Sequence, residues 1–308
     1  MALRAPPDER PPSELLTFGL VNLDKPPGPS AHQVADWVST AVDDALEDAG
    51  ADRQADRVAH AGTLDPKVTG SLPLMLGDAV RLARVFDDIR KEYVAVLELH
   101  APAPTDFEAI VSEFEGEIYQ KPPRKSAVAR RLRSRTVHEL EVLEREQRRA
   151  LLRVDCASGT YIRKLCHDLG LALGTGAHMG DLRRTATGDF DDTTLVSMET
   201  LVDALAFWVE DDDASLLREV VQPAERALER LPRVRIARSA AREVAEGAPV
   251  YAPGVLGVET APVGDARPTA HSLVVCVTPD GSAVCLGTLT GDPDTETGTV
   301  VALERVLV

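Results

Sequence analysis

Lysine is almost missing from this chain: six residues in 308, against 28 arginines. Aromatic residues are also sparse, at 4%, so a single tyrosine reads first as a packed core ring. The four cysteines, Cys156, Cys166, Cys276 and Cys285, form no CxxC pair and have no histidine at zinc-finger spacing. A structural zinc site or a disulfide framework is therefore not expected, and they read as reduced core thiols. No apolar run approaches the roughly 20 residues of a membrane span. The opening "MALRAPPDERPPSELL" has no apolar signal-peptide core, so the expected location is the cytoplasm. Positive charge is the last shortage. The formal net charge is -16, and a uniformly acidic surface repels phosphates.

What is present is unevenly placed. Acids cluster in "VDDALEDAGAD", "DFEAIVSEFEGE" and "VEDDDAS". Residues 121–135, "KPPRKSAVARRLRSR", hold seven basic side chains and no acid. Such a run is usually a solvated face, but in a chain this acidic it marks a phosphate-contact candidate, carried by Lys121, Arg124, Lys125, Arg130 and Arg131. The acidic, lysine-poor balance suggests a cell with high internal salt. There, counterion release contributes little, and RNA recognition rests on shape, stacking and bidentate arginine contacts.

Apolar residues make up 44% of the chain, enough for a globular protein with two domains. Residues 1–17, rich in proline and charge, are expected to be mobile. Val34, Trp37, Val38, Ala41, Val42, Ala45 and Leu46 recur at helical spacing between a capping Ser30 and Gly50, which predicts an amphipathic helix. "KEYVAVLELH" (91–100) alternates as a strand, and "ALLRVDCASG" (150–159) is a strand running into a glycine turn. Ile162, Leu165, Cys166, Leu169 and Leu173 mark a helix, and "LVSMETLVDALAFWVE" another. A domain boundary is expected near 229–236. A short helix in "RSAAREVAEG" follows, then a hairpin around Pro279-Asp280-Gly281 and a last strand in "GTVVALERVLV". Helices and strands mix without a regular βαβ repeat, so the predicted class is α+β.

The unusual stretch is "HAGTLDPKVTG" (60–70). Pro66 disfavours the α region for Asp65, Gly62 relaxes the backbone ahead of it, and Thr63 and Thr69 can tie side chains to the loop. Alone, this is an Asx turn. "ASGTYIRKL" sets Tyr161 and Arg163 at a strand-to-helix junction, with Arg163 one position off the apolar stripe, where an arginine commonly pairs with a carboxylate. Tyr93 opens a strand and on its own reads as a packed aromatic.

Five stretches, "NLDKPPGPSAHQVADWV", "HAGTLDPKVTG", "KEYVAVLELH", "ASGTYIRKLCHDLG" and "GAHMGDLRRTATG", stand in the order found in TruB-type pseudouridine synthases. "GTLDPKVTG", "QKPPRKSAVARRLRSRTVHEL" and "LPRVRIARSAAREVAEGAPVYAPGV" resemble the archaeal, dyskerin-like branch, and the acidity resembles a haloarchaeal member. The resemblance covers residues 18–308. It implies a mixed-sheet catalytic domain over 18–230 and a small β-rich PUA domain over 231–308. It also implies conversion of uridine to its C-glycoside isomer in RNA, without a cofactor. Asp65 matches the essential carboxylate, as nucleophile or base, Arg163 its partner, and Tyr93 the residue on which the flipped base stacks. His60, Tyr161 and Leu182 are placed around the nucleotide. Lys25 either steadies the loop or touches phosphate, with the structural role favoured, and Arg183 and Arg184 add to the RNA surface. The implied targets are the tRNA T-arm and guided rRNA sites, the latter within an H/ACA ribonucleoprotein with guide RNA and three small proteins. Two rival readings remain: an inactive guide-RNA scaffold, and a glycoside hydrolase, which needs a second carboxylate for which Asp24 is poorly spaced.

Overall fold

The computed structural model describes residues 3–122, 129–261, 268–269 and 271–308. A larger sheet gathers β1 (Phe18–Lys25), β2 (Val58–His60), β3 (Thr69–Gly77), β4 (Lys91–Leu99), β5 (Gly116–Gln120), β6 (Arg133–Arg145), β7 (Arg149–Cys156), β8 (Ala177–Thr187) and β9 (Gln222–Pro223). Its order is β5-β6-β7-β4-β8-β3-β1-β9, with β2 added beside β3. The β3–β8 pair is parallel and the other pairs are antiparallel, so the fold is α+β with mixed sheets. A six-stranded sheet follows, from β10 (Arg233–Ile236), β11 (Val250–Tyr251), β12 (Val255–Glu259), β13 (Leu273–Val277), β14 (Ala283–Leu289) and β15 (Thr299–Val306), ordered β11-β15-β14-β13-β10-β12.

The helices are α1 (Pro12–Thr17), α2 (Ala31–Asp48), α3 (Phe107–Ser112), α4 (Ile162–Ala172), α5 (Met198–Asp211), α6 (Ser215–Val220) and α7 (Arg238–Ala245). Helix α2 starts where the sequence predicts. The Ser30 hydroxyl accepts from the Gln33 amide while the Gln33 side chain accepts from the Ser30 amide, a complete capping box. Its buried face is Ala31, Val34, Ala35, Val38, Val42, Ala45 and Leu46. Trp37, assigned to that stripe by spacing, stands 53% exposed. Helical period places it at the stripe's edge, and no neighbouring element covers it there.

Three apolar clusters organise the molecule. One lies between the large sheet and helices α2, α4 and α5, one fills the small sheet, and a third joins them. The third packs Phe18, Leu20, Met75 and Phe86 against Val275, Leu286 and Leu307. All four cysteines are buried and unpaired by disulfide. Burial pushes the thiols of Cys156 and Cys166 up to about 12.

The N-terminal segment corrects the sequence reading. Residues 3–17 pack into the seam between the sheets. Arg4 donates to the Leu307 carbonyl at 3.1 Å and to Asp78 at 2.7 Å, and its guanidinium lies 4.3 Å from the Phe18 ring centre. Arg10, wholly buried, holds Glu225 through two contacts of 2.9 Å. Proline and charge predict a mobile segment, but a short turn at Pro7–Glu9 and helix α1 order it as a strap. Among the described residues no helix is long and apolar enough to cross a membrane.

Candidate active site

One row across the large sheet assembles the site. Gly70 on β3 stands beside Arg184 on β8, which stands beside Tyr93 on β4. With strands about 4.8 Å apart, three segments far apart in sequence meet within roughly 10 Å. The loop from Gly62 to Val68 rises from this row and carries Asp65. Its turn is closed by the Val68 amide donating to the Asp65 carbonyl at 3.0 Å. Gly62 and Gly70 adopt φ of 103° and 96°, left-handed values that a side chain resists. A Cβ on Gly70 would also stand 2.1 Å from the Arg184 carbonyl oxygen.

Asp65 is ion-paired with Arg163. The arginine comes from the first turn of α4, as its position one step off the apolar stripe requires. Both side chains are about half exposed, so the pair is open to solvent and not dry as expected. Coulomb attraction is correspondingly screened until something covers it.

Tyr93 is buried, 8% exposed. Its hydroxyl is pushed up by burial, with the adjacent Arg184 guanidinium opposing. His60, on β2, has a buried Nδ1 without a hydrogen-bond partner. Burial first, then the charges of Arg184 and His32, lower its pKa, so the ring is neutral near pH 7 and offers an unused polar atom. Tyr161 immediately precedes α4. Its amide donates to Gln120 Oε1 at 2.9 Å and its carbonyl accepts from Gln120 Nε2 at 3.2 Å. Leu182 is half-buried against the main core and sits two residues before Arg184, on the same face of β8.

Three of the basic candidates have partners within the protein. Lys25 is fully buried, and its ammonium donates to the carbonyls of Pro26, Pro66 and Val68 at 2.9, 3.1 and 2.9 Å. It braces the Asp65 loop, the structural role favoured from sequence. Arg184 is 1% exposed and donates to the Ser71 and Gly62 carbonyls at 2.7 and 3.2 Å, so it underpins that loop from below. Strand alternation sends Arg183 to the opposite face, where it grips Asp24 at 2.9 and 3.1 Å. This same grip occupies the acid considered for a hydrolase. Lys121, Arg130 and Arg131 are exposed in the connection between β5 and β6, compatible with RNA contact. Arg124 and Lys125 lie outside the described residues.

Sequence reasoning missed Gln120, Ser158 and Lys91. Lys91 stands two residues before Tyr93 in "KEY", and a lysine opening a strand is ordinarily solvated. Here it is 6% exposed.

Fold and site together set a lone loop carboxylate, ion-paired to a guanidinium, on a mixed sheet with an appended β module. The model for the N-terminal domain of the TruB family of pseudouridylate synthases matches residues 52–106 and 100–162. That for the tRNA pseudouridylate synthase B C-terminal domain matches 163–229, and a DKCLD domain matches 4–35. The chain is 67% identical over 308 residues to a probable tRNA pseudouridine synthase B of Haloarcula marismortui, covering 100% of this chain and 94% of that protein. A protein of the same description from Halobacterium salinarum is 57% identical over 316 residues, with both chains fully covered. Among solved structures, a Cbf5-Nop10-Gar1 complex contains a chain matching with a TM-score of 0.86 and 41% identity over 99% of this chain and 90% of that one. An H/ACA RNP bound to a substrate RNA containing 2'-deoxyuridine contains one with a TM-score of 0.86 and 39% identity, at 99% and 90% coverage. The chain belongs to the TruB family of pseudouridylate synthases, and its small sheet is a PUA-like domain.

Proposed function

We propose that this protein isomerises uridine to pseudouridine in RNA, with Asp65 as the catalytic carboxylate. The Asp65–Arg163 ion pair on the loop braced by Lys25 and Arg184 carries the reading. The target uridine leaves its stack, at a cost of a few kcal/mol, and lies against Tyr93, which returns about 1–3 kcal/mol. His60, Tyr161 and Leu182 surround it. The bond from the ribose to N1 breaks, the uracil turns, and a bond to C5 forms. The C5 proton leaves, N1 takes one up, and no group is gained or lost, so a single carboxylate suffices. Docked RNA covers the half-exposed ion pair and strengthens it.

Residues 18–230 form the catalytic domain in this reading, and 231–308 hold RNA away from the chemistry. Lys121, Arg130 and Arg131 contact backbone phosphate, as do Arg124 and Lys125. The substrates are the tRNA T-arm and, within an H/ACA particle in the cytoplasm with guide RNA and small partner proteins, sites in rRNA. Relatives described as tRNA pseudouridine synthase B and structures of Cbf5 with Nop10, Gar1 and substrate RNA support both. Tritium release from C5-labelled tRNA transcript, with and without partners and guide, tests it. Asp65→Asn is expected to lower release by at least about 10³-fold. Turnover by that variant at the parent rate refutes the proposal.

A further inference from the structure

Lys91 is buried at the back of the site. Its ammonium donates to the Ile89 carbonyl at 3.2 Å and to Ser158 Oγ at 3.1 Å. On its other side lies the catalytic loop: a methyl group added at Gly62 would stand 3.2 Å from Lys91 Cε and 3.4 Å from an Arg184 terminal nitrogen. Gly62 is three residues before Asp65, and Ser158 is five before Arg163 in a turn where the Thr160 hydroxyl donates to the Ala157 carbonyl at 2.7 Å. The lysine therefore bonds the turn that leads to Arg163 through its ammonium and leaves little room for a side chain at Gly62 on the loop that leads to Asp65.

We infer that Lys91 is a positioning residue of the isomerase: with its stem beside Gly62 of the Asp65 loop and its ammonium on Ser158 of the turn before Arg163, it sets the separation at which Asp65 and Arg163 meet. This rests on the isomerase reading above. Neither of its hydrogen-bond partners carries a charge, and the like-signed Arg184 guanidinium stands beside the same glycine. Such an arrangement is poor for stability, and strained or costly groups gather at functional sites. Burial, then Arg184, bring its pKa down to about 8, with Cys156, Asp87 and Asp88 opposing. Cys156 has a thiol raised to about 12 and is neutral at working pH. Lys91 is thus the group here that loses its charge near pH 8, and with it one of three donors.

The test is kcat and KM for C5-tritiated RNA across pH 6 to 9.5, roughly, for the parent, Lys91→Met and Ser158→Ala, with thermal unfolding alongside. The parent's kcat is expected to fall above about pH 8. Lys91→Met should lose about tenfold or more in kcat, keep KM within about twofold, lack that alkaline limb, and melt no lower than the parent. Ser158→Ala should lose kcat several-fold, which reads the same contact if the methionine variant does not fold. Parent-like kcat in Lys91→Met or Ser158→Ala, a loss confined to KM, or an alkaline limb surviving in Lys91→Met overturns the inference. A parent protein that releases no tritium overturns the isomerase reading, and this inference with it.

Discussion

At the scale of single residues, buried cations hold the site together and an exposed one does the pairing. Lys25, Lys91 and Arg184 are each under a tenth exposed and bond uncharged oxygens, while Arg163 is half exposed and bonds Asp65. The two groups should respond differently to substitution. Arg163→Ala is expected to cut kcat about 10²-fold while changing RNA affinity less than threefold, read by tritium release against filter binding. Equal losses in both would reassign Arg163 to substrate binding. Lys91 gives a pH signature with a definite sign. Its pKa is about 8 in the fold against 10.5 unfolded, so between these values the unfolded chain binds more protons and the folded form gains as pH rises. The parent should therefore gain stability relative to Lys91→Met from about pH 8 to 10.5 in denaturant titrations, over the same window in which its activity falls. The loop around Asp65 and the edge position of Arg163 were legible from local punctuation and stripe position, while their pairing was implied by the family resemblance. The fate of Lys91 was not legible, since a lysine is buried only by what other strands bring to it.

At the scale of elements, period and caps predicted α2, α4, α5, α7 and the β13–β14 hairpin. Its turn at Thr278–Ser282 closes with the Gly281 amide on the Thr278 carbonyl at 3.0 Å. Composition failed at the N-terminus, where proline and charge resemble disorder but two buried arginines find carboxylate partners 74 and 215 positions away. Arg10→Ala leaves Glu225, 12% exposed, without its cation, an uncompensated charge that costs about 3–5 kcal/mol. A fall of several degrees in Tm, with earlier proteolytic cleavage between the domains, is the expected result. An unchanged Tm would show that the strap is not holding the seam. The alternation rule likewise separates Arg183 from Arg184. Adjacent in sequence and read as one surface, they serve opposite faces of β8.

At the scale of the whole molecule, charge governs behaviour. Fifty acids against 34 basic side chains repel one another in dilute buffer, and relatives from Haloarcula and Halobacterium share the chain's full length. Stability is expected to drop sharply on dialysis from molar salt to low salt, followed by circular dichroism. Indifference to salt would refute the halophilic reading. Within that field, the stretch between β5 and β6 departs from the site itself, because Gln120 at its start holds the Tyr161 backbone.

The sequence by itself determined the class of fold, the helices and hairpin, and the loop that bears Asp65, because each depends on residues near one another along the chain, while the candidate cation for it was implied by the resemblance of the ordered motifs. Only the tertiary structure decided which basic side chains are exposed and which brace the loop, that the N-terminal segment packs between the two sheets, and that Lys91 is buried beside Gly62 with its ammonium on Ser158. Those outcomes depend on strand register and burial, which are set jointly by segments far apart in sequence.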